Sequence, residues 1–509
     1  ISFNAYDPYW YAPTQQGTTL ASKVALGSVN YMARRSPLGA WGTMGQTSGT
    51  TIQPTGAIPT AIRAFIQNPG GTIFFGGGFG TLAGTRSHHV GMYFPTTNLF
   101  GTLVGGTIPF TDGPVTSFAQ NPSGTLFIGG AITSVAGTVA AAVIRWTGAY
   151  GTLQGGTVVT GGNARALLYS PFGTLFFGGD FSSVQGTANS RNIAQWTGAF
   201  GTLGGTANAV VQSLAWGLDN RLFIGGGFTN IGGTIGTAIA FWKGLGTFGT
   251  MNNANAPAFG MTALGIAPNG QLYEGGDFTV AGGGSALRSA VWNGVQHQPL
   301  GYGLGGDAWA LLTNPSTGDV TYGGAFLSAG SINAPANYAV WNGAAWILPD
   351  ILFTSSGYTA GTVYAMLQTP DGALYIGGDF IGTTSAAAVG TIVNSGRAAV
   401  FPTMRIRNLG AGTARLYQLL NTTTGDGIYF NYVMQGGESA LLNLQPGSRS
   451  FQSSAQGNVF GQILPGSNLA TFNLLPGVNY ISHLNDGGTV ETSFFWTPKG
   501  WSIDSGTVY

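Results

Sequence analysis

The sequence predicts an all-β fold: a seven-bladed β-propeller inserted into a β-sandwich. Three observations predict it. A four-strand unit recurs at a period near fifty residues, glycine is abundant beside many aromatic residues, and helical periodicity is nearly absent. Of 509 residues 88 are glycine, more than twice the usual share of about 7 %, while 12 % are aromatic. That mixture suits short, tightly turned strands around an apolar core, not a flexible linker.

Paired glycines begin at Gly76, Gly129, Gly178, Gly225, Gly275, Gly323 and Gly377, at intervals of 53, 49, 47, 50, 48 and 54 residues. In each copy an apolar segment such as "VTSFAQ", "ARALLYS" or "VYAMLQ" meets a Pro/Gly/Asn/Asp turn, and a strand such as "GTLFIGG" follows. Proline presets φ and glycine tolerates positive φ, so these turns join adjacent antiparallel strands. A third strand ends on Tyr93, Trp146, Trp196, Trp242, Trp292 or Trp341, 17 or 18 residues past the first glycine. These aromatic residues are read as packing between copies, with stacking on sugars as the lesser use. A weak fourth segment ("GTLVGGT", "GTLQGGT") closes most copies.

One such sheet cannot bury both faces alone, so copies must stack, and radial closure removes exposed end faces. Seven copies over residues 29–400 suit a closed ring; an open solenoid is the alternative. The segment "VNYMARRSPLGAWGTMG" (29–45) resembles the third and fourth strands of a copy and is expected to complete the last one, with "GRAAVF" at 396 competing for the third position.

From Phe401 the repeat stops. Residues 401–509 alternate apolar and polar residues between glycine-rich turns and read as a β-sandwich or jelly roll. Arg405, Arg407, Arg415 and Arg449 form a modest basic group there, read as solvated strand faces. A closed propeller brings its ends together, so residues 1–28 and 401–509 are expected to form one interrupted β domain carrying the propeller as an insertion.

Only 6 % of residues are charged and the net charge is +1, which argues against a nucleic-acid partner or a polybasic membrane contact. No apolar run is long enough to span a bilayer, and there is no cysteine for disulfides or thiolate metal sites. The sequence starts at Ile1 with neither an initiator methionine nor a signal-peptide pattern, so an upstream segment is expected. A surface solvated by Thr, Ser, Asn and Gln suits an extracellular or particle-bound protein.

Chemistry is sparse. The histidines are His88, His89, His297 and His483; the adjacent pair would point to opposite faces of a strand, so no metal site is assigned. Asp180, Asp277 and Asp379 follow the glycine pair in three copies, where Gly78, Ala131, Gly227 and Ala325 stand in the others, a pattern of turn caps rather than of a catalytic pair. Glu274 interrupts an apolar strand and is either at an exposed strand end, the favoured reading, or buried with a partner; it is also the first acid to mutate. "GGGFG" at 76–80 lacks the helix and lysine of a phosphate loop. No catalytic, cofactor-binding or metal residue is assigned, and the protein is read as a non-enzyme.

The repeats, read as "VYA…PDG.LYIGGDF…AVWNG..W", resemble kelch-like or galactose-oxidase-like propellers over roughly residues 29–400. The copper radical chemistry of the latter needs a Cys–Tyr crosslink and is excluded by the absence of cysteine. The ends resemble another family. "ISFNAYDPYWYAP" (Tyr6, Asp7, Pro8, Tyr9, Trp10, Tyr11) and "PGSNLATFNLLPGVNYIS" with "VETSFFWTPKGWSID" (Leu475, Pro476, Gly477, Asn479, Trp496, Trp501) are similar to the distal tail proteins of long-tailed (siphovirus-type) phages. That resemblance implies a jelly-roll or galectin-like host domain, ring assembly with other copies of itself and with other phage tail proteins, and a virion-tail location. The upstream half, which forms the ring in that family, is missing.

Three functions are therefore expected in order. The first is a virion structural protein whose propeller decorates the tail or contacts the host surface. The second is a secreted or cell-surface glycan-binding propeller of adhesin or lectin type. The third is a propeller hydrolase or lyase.

Overall fold

The computed structural model describes residues 10–11, 16–21, 31–35, 41–42, 44, 52–54, 61–82, 85–87, 89–103, 111–135, 138–139, 142–153, 159–184, 189–251, 260–281, 283–330, 332–333, 337–347, 353–354, 361–380, 382–383, 388–421, 423–486 and 490–500. Tyr6, Asp7, Pro8, Tyr9, His88 and Trp501 lie outside them. The described chain is all-β and propeller-like, with many small antiparallel sheets and, among the described residues, no α-helix.

Seven four-stranded sheets carry the seven glycine pairs. The second copy is representative: Val115–Gln120, Leu126–Gly130, Val143–Trp146 and Tyr150–Thr152 pair in sequence order. The first strands of the others are Ile62–Gln67, Ala164–Tyr169, Val211–Trp216, Met261–Ile266, Ala308–Thr313 and Val363–Gln368. Each lies beside the first strand of the next copy, and Val363–Gln368 lies beside Ile62–Gln67.

The seventh sheet takes its outer strands from the other end of the chain. Met32–Arg35 pairs with Leu374–Gly378 in the register Met32↔Gly377 to Arg35↔Leu374, and Trp41–Gly42 adds outside it. Tyr31 has a left-handed φ of 70°, as do His89, Ala142, Asn192, Ala238 and Arg288 in front of the third strands of other copies. The competing segment at 396 goes elsewhere: Val400 bridges Leu474.

The paired glycines answer two separate crowding problems. A Cβ on Gly178 would stand 2.3 Å from Val211 Cγ1 on the next copy's first strand, and one on Gly377 would stand 2.6 Å from Ile62 Cγ2. The second glycine faces its own copy: a Cβ on Gly179 would meet the Asn163 carbonyl at 1.8 Å. Backbone oxygen cannot rotate away, so the first strand must separate from the second. Gly179→Ala is expected to destabilise the protein by about 2–3 kcal/mol or more, read as a lowered denaturation midpoint.

Copies also bond through rings. Trp146, Trp196 and Trp242 sit 5.9, 5.9 and 5.6 Å from Phe74, Phe127 and Phe176 of the preceding copy. The Trp242 indole N–H donates to the Leu203 carbonyl at 2.9 Å. The repeated tryptophans thus pack between copies.

Apart from seven two-stranded sheets and one three-stranded sheet among the described residues, strands from the two ends of the chain form two larger sheets. One is ordered Gln16–Ala21, Val490–Trp496, Thr403–Asn408, Ser439–Asn443, Ser450–Ser453, Gly457–Asn458; the other Ala388–Asn394, Gly477–Asp486, Ala414–Asn421, Asp426–Met434. They face one another across a single core that includes Met404, Leu442, Phe451 and Phe494 from the first and Ile392, Leu419, Phe430 and Ile481 from the second. Trp10–Tyr11 pairs with Lys499–Gly500, so the N-terminal strands are bound to the C-terminal unit. Ala388–Asn394 pairs along its length with Gly477–Asp486, so the changeover lies before Ala388 and not at 400/401. Its run "AVGTIVN" is as β-branched as a repeat strand, which conceals the boundary in sequence. Of the basic group, Arg405, Arg407, Arg415 and Arg449 are exposed, with Arg405 over the Phe495 ring and Arg407 3.8 Å from Glu491.

Candidate functional site

The first strands define the site. Along each, the first and third residues are buried, as in Ile62 and Ala64 or Ala308 and Ala310, and side chains alternate in direction. The second residue behaves differently in all seven copies. The ladder to the second strand slips between the first and third residues, leaving the second without a partner across the ladder. Such a bulge turns one side chain out of the pleat.

These seven bulged residues are Arg63, Thr116, Arg165, Gln212, Thr262, Trp309 and Tyr364, and together they line one cavity of about 120 Å³. A second cavity of about 290 Å³ shares Arg63, Thr116 and Arg165 and extends between the loops at Gly78, Pro114, Ala131 and Asn163. The neighbouring columns of the repeat hold only Ile, Val, Ala or Met before the bulge and Ala or Ser after it. Between those two uniform columns the bulged one is diverse, polar and aromatic. Uniform neighbours show what packing requires; the variation marks a surface freed from that requirement.

Two bulged residues serve the frame. Thr116 donates its hydroxyl to the Ala164 carbonyl of the next copy at 2.8 Å, and Thr262 does the same to Ala308. The others face the cavity. Arg63 lies with its guanidinium 4.5 Å from the centroid of the Tyr364 ring, and Trp309 stands 6.1 Å from Tyr364 and is 38 % exposed. Arg165 donates from Nε and Nη2 to Asp180 Oδ2 at 3.2 and 2.8 Å.

The acids after the glycine pairs hold the loops around this mouth. Asp180 accepts from the Asn163 backbone N–H at 2.6 Å and Asp379 from that of Thr362, each steadying the entry to its own first strand. In the two copies where Ala131 and Gly227 follow the pair, Asp112 and Asn208 reach across from the other side to the backbone N–H groups of Thr133 and Thr229. At the opposite end of the first strands a cleft of about 960 Å³ runs between the turns at Asn68, Asn121, Pro171 and Asp371. Its asparagine oxygens already accept from Thr72 and Thr125, so turn formation accounts for those residues.

Glu274 is not a solvated strand end. Its strand, Leu272–Gly276, is buried on both faces, and the carboxylate meets His297 Nδ1 at 2.9 Å with both side chains 0 % exposed. His297 Nε2 donates to the Met251 carbonyl at 3.0 Å, so Nδ1 carries a proton only when the ring is an imidazolium. Glu274 Oε1 finds no hydrogen-bond partner among the described residues, and the Tyr322 hydroxyl donates to the Glu274 backbone carbonyl. The pair holds one proton between two sites and lines none of the three cavities named above. His89 is buried away from it, and His483 is buried in the C-terminal unit, where the Thr492 hydroxyl bonds its Nδ1. Among the described residues no three of His, Asp and Glu converge as a metal site.

These histidines set opposite pH limbs. Burial opposes charge on His297, but the hydrogen bond and charge of Glu274, with the Met251 carbonyl, outweigh it and raise its pKa. Burial likewise raises Glu274 against the pull of His297. The folded pair therefore keeps a proton that the unfolded chain loses near 6.5, and stability falls as pH rises above that value. His483 is pushed down to about 4 by burial, so its contribution is present above 6.5 and is lost as pH falls toward 4. Melting temperature is expected to peak near pH 6.5, with the acid limb worth on the order of 3 kcal/mol and flattened in His483→Leu.

No family model matches the chain, and no curated protein does. Among solved structures it is similar to the extracellular domain of a putative one-component system from B. thetaiotaomicron, at 9 % identity and TM-score 0.42 over 80 % of this chain and 52 % of that one. It is also similar to a surface component of the type-IX secretion system of Porphyromonas gingivalis, at 12 % identity and TM-score 0.40 over 81 % and 60 %. A virginiamycin B lyase from Staphylococcus aureus, crystallised in an inactive form with quinupristin, gives 9 %, 0.38, 64 % and 97 %. The chain spans about half the length of the first of these. Likenesses this remote carry nothing about activity, ligand or location.

Proposed function

We propose that the protein is a non-enzymatic, extracellular or particle-displayed carbohydrate-binding protein. Its seven sheets close into a seven-bladed propeller, and a β-sandwich built from both ends of the chain holds that propeller as an insertion. One observation carries the reading: the seven bulged residues converge on one cavity and differ from the uniform columns on either side of them. Aromatic faces beside fixed N–H donors are what recognition of a sugar needs, the faces for its C–H side and the donors for its hydroxyls. Glu274, the acid that a hydrolase reading would use, is sealed against His297 and away from the cavities.

The experiment is a glycan array with the full chain and with Trp309→Ala. Binding by the parent that falls about tenfold or more in the variant supports the reading; an array on which the parent binds nothing opposes it. A second reading, a component of a phage tail, is favoured by the pairing of Gln16–Ala21 with Val490–Trp496, which makes the propeller a guest between two parts of one domain. It expects a ring of several copies in solution, and a strictly monomeric protein by light scattering would count against it.

A further inference from the structure

We propose that the axial cavity takes a carboxylated sugar and that Arg63 grips its carboxylate. This rests on the carbohydrate-binding reading above. The two arginines of the bulged column are in different electrical states. Arg165 is neutralised, with two of its nitrogens given to Asp180. Arg63 has neither a carboxylate nor a hydrogen-bond acceptor among the described residues, and its guanidinium lies over Tyr364. Both cavities are lined by Arg63 and Arg165, and among the described residues no acid lines either one. The lining therefore carries one positive charge in excess, in a chain where only 6 % of residues are charged. A ligand with a single negative charge would cancel it.

The geometry favours a planar anion. The guanidinium lies over the Tyr364 ring with its N–H groups unclaimed among the described residues, and that fork matches the two oxygens of a carboxylate. Trp309, tilted against Tyr364 at 59°, offers an exposed ring for the apolar face of the sugar that bears the carboxylate. Trp309 and Tyr364 line the cavity of about 120 Å³, and the one of about 290 Å³ shares Arg63 with it, so a monosaccharide held at Arg63 would span the two, whose combined space reaches the small-ligand range that starts near 300 Å³. Arg63 is therefore the residue that sets specificity, and the aromatic pair supplies affinity for any pyranose.

The test is calorimetric titration of the full chain with glucuronate-terminated, neutral glucose-terminated and sulfated oligosaccharides of equal length. The parent is compared with Arg63→Gln and Arg63→Lys, each first shown to melt cooperatively near the parent's temperature. The expected result is at least about tenfold tighter binding of the uronate than of the neutral sugar, a preference erased by Arg63→Gln and partly kept by Arg63→Lys. Equal binding of uronate and neutral sugar, lost in Trp309→Ala, would overturn the carboxylate assignment and leave the carbohydrate reading standing. Preference for the sulfated sugar would overturn it as well. Binding of none of the three would overturn both.

Discussion

Replacing His297 with alanine is expected to destabilise the folded protein by about 3–5 kcal/mol, one of the largest effects of any single change. The magnitude comes from what remains, not from what is removed. Glu274 would be left fully buried on a strand packed on both sides, with no cation and no acceptor for its proton. It would also face a hole where the imidazole lay 4.7 Å from Trp292. Trp292 makes the change visible in fluorescence-detected denaturation. The double variant Glu274→Leu/His297→Leu should recover most of the loss, because two apolar side chains of similar volume satisfy the site without a buried charge. A drop below about 1 kcal/mol in the single variant would mean that the pair is solvated in solution.

The second large effect is expected at Ala33. This residue is 1 % exposed, sits in the N-terminal strand of the seventh sheet, and packs with Tyr338, Val363, Ile376 and Phe380. Ala33→Asp forces a carboxylate into that cluster, at a cost of several kcal/mol, and expels Met32–Arg35 from its partner. Leu374–Gly378 then becomes an edge with unpaired backbone groups, open to pairing with another chain. The expected result is loss of soluble monomer and higher-order species on size exclusion. Ala33→Ser, which adds one small polar atom, should cost only about 1–3 kcal/mol and stay monomeric. Equal behaviour of the two variants would show that the strand is dispensable.

Much of this architecture is legible in the sequence, for a physical reason. In every example discussed a Cβ on a glycine of the pair would stand 1.8–2.6 Å from another atom, a backbone carbonyl for Gly179 and a side-chain methyl of the adjacent copy for Gly178 and Gly377, so the pairs recur and the period survives. Trp146, Trp196 and Trp242 recur because each reaches a phenylalanine of the preceding copy. Long-range choices leave no such local mark. Glu274 looks like a strand end because its partner, His297, lies 23 residues away on the fourth strand, and neither residue type is repeated in other copies. The Ala388–Asn394 strand is indistinguishable by composition from a repeat strand, and only its partner, Gly477–Asp486, reveals where it belongs. The bulged column was readable in principle: with the first strands aligned, Arg63, Thr116, Arg165, Gln212, Thr262, Trp309 and Tyr364 fall between two columns of small or apolar residues. What the sequence conceals is that the seven meet at one cavity.

The account stands or falls on the proposed closure of the seven sheets into a ring. Ala33 and Ile376 face each other in the register of the seventh sheet, and the chain has no cysteine of its own. Ala33→Cys with Ile376→Cys, oxidised under mild conditions and mapped by mass spectrometry, tests that closure with two new thiols and no others. The account predicts a disulfide within one chain, formed in the monomer. Two thiols that stay free, or a crosslink found only between chains, would contradict it.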